Sequence, residues 1–196
     1  MKYTLLITLL FLSQFLSAQL ANKAENISPL LIGETVPDIT IKTTASAEQS
    51  ILSVLANKNT VMLFYRGGWC PYCNNQLAEI QDIENEILEL GYQIIAISSD
   101  SPENLVITDT KNELNYQLYS DATGELVKAM GIAFTAQDKR KERLFNYSGG
   151  LNEGFLPVPS VFITDTTGKI VFEYINPNYK TRMSSKLILA VLKNLD

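Results

Sequence analysis

The sequence predicts an α/β sandwich built on a mixed central sheet, and three observations carry that expectation. Two near-continuous apolar runs of strand length, Thr60–Tyr65 and Gln93–Ser98, read as strands buried on both faces. Between them Leu77, Ile80, Ile83, Ile87, Leu88 and Leu90 recur at helical spacing, and Gly91 stops the run. Further on, Ser160–Thr164 and Lys169–Tyr174 flank the turn signal Thr166-Thr167-Gly168, which makes them a hairpin. Strand, helix and strand followed by a hairpin give a sheet with both parallel and antiparallel pairs, covered by helices.

The elements follow in chain order. Residues 1–18 read as a signal peptide: Lys2 is a short positive region, Tyr3–Leu16 is mostly apolar, and Ser17-Ala18-Gln19 offers a small-residue cleavage site. The apolar run is short for a membrane-spanning helix. An uncleaved anchor is the other reading, and no cysteine follows to carry a lipid. Residues 19–31 are polar and mixed, a flexible leader, and residues 32–196 form one domain without repeats. In that domain Ile32–Asp38 is turn-rich, Ile39–Thr43 alternates as a strand, and Ser50–Ala56 is a short helical turn or loop. The helix after the first buried strand runs from Asn74 to Leu90. Ser101-Pro102-Glu103 has N-cap and first-turn chemistry and opens a helix to about Asn115. Gln117–Ser120 is a short strand, Thr123–Met130 a helix closed by Gly131, and Gln137–Leu144 a charged helix. Ser148-Gly149-Gly150 is a loop, and Ser184–Leu195 closes the chain as a helix.

Composition narrows the chemistry. At 196 residues, 46% hydrophobic and 19% charged, the chain can bury a full core and is not disordered in bulk. A net charge of −5 argues against a nucleic-acid surface. The chain has no histidine, which removes Ser-His and Cys-His catalysis and most zinc and haem sites. Neither a metal nor a cofactor is expected. Once residues 1–18 are removed, no apolar run of spanning length remains, so no stable membrane insertion is expected.

The chemistry concentrates in Trp69-Cys70-Pro71-Tyr72-Cys73, which holds the only two cysteines. At a strand-to-helix junction Cys70 meets unpaired backbone N–H groups and the positive end of the helix dipole, which favour thiolate over thiol. Cys73 lies one turn in. A zinc half-site would lack its other ligands, and a structural disulfide across so small a loop gains little chain entropy. A redox pair explains the spacing better, with Cys70 more exposed and more acidic than Cys73. Pro71 suits the first helical position. Trp69 reads as a flat wall beside the thiol or as a partly buried aromatic at the sheet edge. Arg66 reads as a cation that lowers the thiol pKa or as a solvated strand-end charge. Pro159, in Pro157-Val158-Pro159, stands before a strand that it cannot pair within a sheet centre.

Four stretches together resemble the alkyl hydroperoxide reductase/thiol-specific antioxidant (AhpC/TSA) family, the peroxiredoxin-like branch of the thioredoxin superfamily. They are Gly33–Asp38, Phe64–Cys73, Leu118–Asp121 and Leu156–Asp165. The resemblance implies a thioredoxin-like three-layer sandwich with helices on both faces. It implies a thiol peroxidase that reduces hydrogen peroxide or organic hydroperoxides, with Cys70 and Cys73 catalytic and a thioredoxin-like donor recycling them. It also implies a cis Val158–Pro159 bond against the cysteine pair. Typical members carry Pro-x-x-x-Thr-x-x-Cys, and here Arg66 stands for the proline, Cys70 for the threonine and Cys73 for the peroxidatic cysteine. The family's later arginine is replaced by Pro159. In the thioredoxin frame Cys70 attacks and Cys73 resolves. A thiol–disulfide oxidoreductase and a non-catalytic binding module therefore stay open beside the peroxidase. With the signal peptide, the expected location is periplasmic or extracellular.

Overall fold

Alternation along three strands decides the layers. In β3 (Asn59–Phe64), Val61 and Leu63 face one way and Met62 and Phe64 the other, all fully or almost fully buried. β4 (Tyr92–Ser98) divides Ile94 and Ala96 from Ile95 and Ile97, and β8 (Ser160–Thr164) divides Val161 and Ile163 from Phe162. β3 pairs with β4 in parallel and with β8 antiparallel. A computed structural model describes residues 20–195. Among the described residues the main sheet has seven strands. β2 (Glu48–Ser50), β1 (Thr40–Thr43) and β5 (Gln117–Ser120) extend it beyond β4, and β9 (Ile170–Ile175) extends it beyond β8. The sheet is therefore mixed, with the predicted hairpin formed by β8 and β9.

Each apolar face takes its own helices. On the first face lie Leu77 and Ile80 of α2 (Pro71–Gln81), Ile87 of α3 (Glu84–Glu89), Leu105 of α4 (Pro102–Asn112) and Ile188 of α7 (Ser185–Leu192). On the second lie Ile51, Val54 and Leu55 of α1 (Ile51–Leu55), with Leu126 and Val127 of α5 (Glu125–Ala129). α1 and α7 are capped by the side chains of Ser50 and Ser184. Burial of each such aliphatic side chain contributes about 1.5–3 kcal/mol, so helices this short are held by packing rather than by propensity. The predicted three-layer arrangement is observed.

The helix expected over 74–90 is two helices. Gln81 donates to Glu84 Oε2 at 2.8 Å and accepts from the Asn115 N–H at 2.7 Å. Asp82 and Ile83 tighten there, with the Ile83 N–H on the Ile80 carbonyl at 3.2 Å. Ile80, Ile83 and Ile87 stay on one face across the break, which is why apolar spacing alone does not reveal it. The predicted helices elsewhere shorten at their ends, and α6 (Asp138–Tyr147) runs slightly past its expected end.

Two further expectations are corrected. Residues 20–31, read as part of a flexible leader, lie against the body. Ala21 bridges Phe134 and its carbonyl accepts from the Thr135 N–H at 2.8 Å, while the Leu30 N–H donates to Met130 at 3.1 Å. Leu20, Ile27 and Leu30 pack on the second apolar face, which holds the segment down. The Val158–Pro159 bond is trans. A small sheet of β6 (Ala133–Thr135) and β7 (Phe155–Pro157) sets the path there, and the Val158 N–H is fixed to the Ile132 carbonyl at 2.8 Å. The chain thus enters β8 already extended. The signal-peptide expectation for residues 1–18 lies outside the described residues. Among the described residues no helix is long and apolar enough to cross a membrane.

Candidate active site

β3 delivers the chain to a short loop, Tyr65–Trp69, that α4 and the end of β4 hold in place. Gly67 has φ +132°, and a Cβ there would meet Trp69 Nε1 and Asp100 Oδ1. A Cβ on Gly68 would strike Thr108 Oγ1 of α4. The backbone passes close because those two side chains are absent. Asp100 Oδ2 accepts from the Gly68 N–H at 2.7 Å, and Asn74 Nδ2 donates to the Gly68 carbonyl at 2.9 Å. Asn112 in turn donates to Asn74 Oδ1 at 3.3 Å.

This loop places Cys70 at the N-cap of α2 with Pro71 at its first position, as the sequence predicts. The Cys73 and Asn74 N–H groups donate to the Cys70 carbonyl at 3.0 and 3.1 Å. Both cysteines are free thiols. Exposure barely separates them, at 1% for Cys70 and 0% for Cys73, because both belong to one buried cluster with Trp69 packed on it. Their acidities do separate. The Cys73 thiol and its backbone N–H donate to Cys70 sulfur, and Arg66 and Arg182 add positive charge. Together these outweigh burial and bring Cys70 down to about 6. Burial pushes Cys73 well above the usual thiol value, with the neighbouring Cys70 adding to the shift.

Arg66 is 3% exposed, so it is not a solvated strand-end charge. Its guanidinium lies 4.1 Å from the Tyr179 ring centre and 5.1 Å from that of Trp69. Burial lowers its proton affinity, and the two cysteines pull it back up. Trp69 also carries Arg143, 5.4 Å from its ring centre, and its Nε1 is buried without a partner among the described residues. Pro159 lines a cavity that Arg66 and Tyr179 also line.

Arg182 is the residue that sequence reasoning misses. It lies between β9 and α7, and its Nη2 donates to Cys73 Sγ at 3.4 Å across a sequence separation of 109. Its Nε and Nη1 are buried without partners among the described residues. A lone arginine in a coil segment gives no local signal, and only the folded chain brings it to the thiols. Asp100 is missed for the same reason. Burial raises its carboxyl to about 7, partly offset by the Gly68 N–H. The site therefore joins an acidic thiol, a second thiol bonded to it, two guanidiniums and a buried carboxyl. Such a set can generate a nucleophilic thiolate near neutral pH and stabilise negative charge that develops on an attacked atom.

Comparison with known proteins gives the family and the fold. Residues 32–173 match the model of the AhpC/TSA family. Peroxiredoxin Bcp of Escherichia coli is 25% identical over 167 residues, covering 85% of this chain and 98% of that protein. The thiol–disulfide oxidoreductase ResA of Bacillus thuringiensis is 22% identical over 157 residues, covering 80% of this chain and 76% of that one. The crystal structure of peroxidoxin BcpB from Mycobacterium tuberculosis superposes with a TM-score of 0.67 at 20% identity, covering 84% of this chain and 97% of its own. At that identity the superposition carries the fold, which is thioredoxin-like. The family match spans most of the chain, and the chain belongs to the AhpC/TSA family, among the peroxiredoxin-type oxidoreductases.

Proposed function

We propose that the protein is a thiol peroxidase in which Cys70 attacks and Cys73 resolves. Cys70 thiolate attacks the outer oxygen of a hydroperoxide, the O–O bond breaks, and the leaving oxygen takes up a proton as water or an alcohol. Cys70 becomes a sulfenic acid. Cys73, losing its proton, then attacks that sulfur and releases water, leaving a Cys70–Cys73 disulfide. A thioredoxin-like dithiol returns both sulfurs to thiols by exchange. The observation that carries the assignment is the acidic Cys70, lowered to about 6 with the Cys73 thiol bonded to it. Arg66 and Arg182 supply the positive charge that the missing later arginine would otherwise provide.

The intact Cys-x-x-Cys and the likeness to ResA favour disulfide exchange as a second reading. Stopped-flow Trp69 fluorescence separates the two. Reduced protein is mixed with hydrogen peroxide in one run and with an oxidised protein disulfide in another. The peroxidase reading expects the peroxide reaction to be faster and to outpace a small thiol of similar pKa. Export through a signal peptide at 1–18 belongs to the same proposal, and the N-terminal mass of protein from its native host tests it.

A further inference from the structure

Helix α6 has a side that the fold does not use. Only Leu144 of this helix is buried. The helix carries Lys139, Arg140, Lys141 and Arg143 against Asp138 and Glu142. Lys141 pairs with Asp138 at 3.0 Å, whereas Lys139, Arg140 and Arg143 enter no ion pair among the described residues. Lys139 and Arg143 are one turn apart, as are Arg140 and Arg143, so the three lie along one side of the helix. In a chain of net charge −5 they form a cationic stripe, and Lys139 and Arg143 are exposed. That stripe adjoins the thiol site. The Arg143 guanidinium lies 5.4 Å from the Trp69 ring centre, and Arg140 shares a cavity wall with Arg66 and lowers its proton affinity. Trp69 packs on two clusters, one of Ala136, Leu144 and Leu156 and one that holds Cys70 and Cys73. The indole therefore joins α6 to the cysteines, neither of which is more than 1% exposed. A protein dithiol can reach sulfur so enclosed only if it seats beside Trp69 and the indole moves.

We infer that the Lys139, Arg140 and Arg143 side of α6 is the docking surface for the protein that reduces the Cys70–Cys73 disulfide, and that this donor presents carboxylates around its own dithiol. The inference rests on the recycling step of the proposed function and names the partner's chemistry. Cations on an exposed helix complement an acidic protein surface. A carboxylate that takes Arg143 draws its guanidinium off Trp69, so docking and uncovering of the thiols become one event. The donor thiolate then attacks Cys70 sulfur, and Cys73 leaves as a thiolate beside Arg182 Nη2. The donor's second thiol, losing its proton, attacks the mixed disulfide and releases Cys70. Two electrons pass to the pair, the two released sulfurs take the donor's two protons, and the donor ends as a disulfide.

Synthetic dithiol peptides test it on the full chain, oxidised with diamide so that no peroxide is needed. The peptides share one dithiol core and differ only in flanks of glutamate, glutamine or lysine. Reduction of the protein is followed by emission of Trp69, its only tryptophan. Each rate is divided by that of the same peptide with hydroxyethyl disulfide, which removes differences in thiol acidity. The glutamate peptide is expected to be about tenfold faster than the glutamine peptide, and the lysine peptide slowest. In about 1 M salt, where the screening length is about 3 Å, the three should converge. Lys139→Glu and Arg143→Glu should each lose most of the preference. Lys58→Glu, the same charge change at the other end of β3 from the thiol loop, should keep it. Equal rates at low salt, or a glutamate preference that survives both α6 variants, overturn the inference. A preference lost equally in Lys58→Glu is an effect of net charge and also overturns it. Failure of diamide to give the Cys70–Cys73 disulfide overturns the recycling step itself, and the inference with it. Phosphatidylglycerol vesicles that sediment the wild type but not Arg143→Glu, with no preference among the peptides, give the surface to a lipid bilayer and overturn the protein partner.

Discussion

Asp100 and Asp121 follow neighbouring parallel strands, β4 and β5, and both are buried, yet the molecule uses them differently. Burial raises each carboxyl to about 7. At Asp121 both oxygens are occupied: Oδ2 accepts from the Val127 N–H at 2.9 Å and Oδ1 from Leu126 at 3.2 Å, so the side chain holds the start of α5. At Asp100 one oxygen holds Gly68 and the other, Oδ1, has no partner among the described residues. Unpaired buried atoms of Tyr65 and Trp69 lie near it. A raised pKa alone thus does not separate a structural carboxyl from one at the site. Unspent hydrogen-bonding capacity does.

Removing the structural carboxyl should have the largest effect on stability. Asp121→Ala strips the partners from two buried N–H groups and is expected to cost about 2–3 kcal/mol by urea unfolding. The rate of Cys70 alkylation in the folded protein should not change. An altered rate would mean that the two carboxyls are not independent. Gly68→Ala comes next. Its Cβ strikes Thr108, so a loss of about 1–3 kcal/mol is expected. Alkylation of Cys70 should change with it, because the same loop sets the N-cap. The double variant with Thr108→Ala should recover most of the loss, and no recovery would place the strain elsewhere.

The subtlest comparison is in pH. A carboxyl held near 7 keeps its proton through a range where the unfolded chain, with Asp near 3.9, has lost it. Its stabilising contribution is full below about pH 4 and is lost as the pH rises through about 7. Urea stability should therefore fall between pH 4 and 7. Asp100→Asn keeps an acceptor for Gly68 and should flatten that fall by an amount on the order of 1–2 kcal/mol. An unchanged slope would mean that Asp100 is ionised throughout.

Much of this was legible before folding. Thr60–Tyr65 and Gln93–Ser98 are apolar on both faces, and a strand between two layers needs that pattern. Cys70, Pro71 and Cys73 announce themselves through spacing and helix-start chemistry. Three-residue strands such as β6 and β7 are too short to show a period. The N-terminal segment is polar because it is pinned by backbone bonds and only three apolar side chains, Leu20, Ile27 and Leu30. Arg182 reaches Cys73 only through tertiary structure, and the burial of Arg66 depends on Tyr179, far along the chain.

The central claim is that Cys70 attacks and Cys73 resolves, and the two single-cysteine variants test it most directly. Cys73→Ser keeps a hydroxyl donor beside Cys70. It should consume a first equivalent of hydrogen peroxide faster than a small thiol does, with alkylation half-maximal near pH 6, and then a slower second equivalent as the sulfenic acid goes on to sulfinic acid and turnover ends. Cys70→Ser should react no faster than free thiol, because Cys73 is held well above the usual thiol value. The reverse order, with Cys70→Ser consuming peroxide and Cys73→Ser inert, would make Cys73 the attacking thiol and contradict the account.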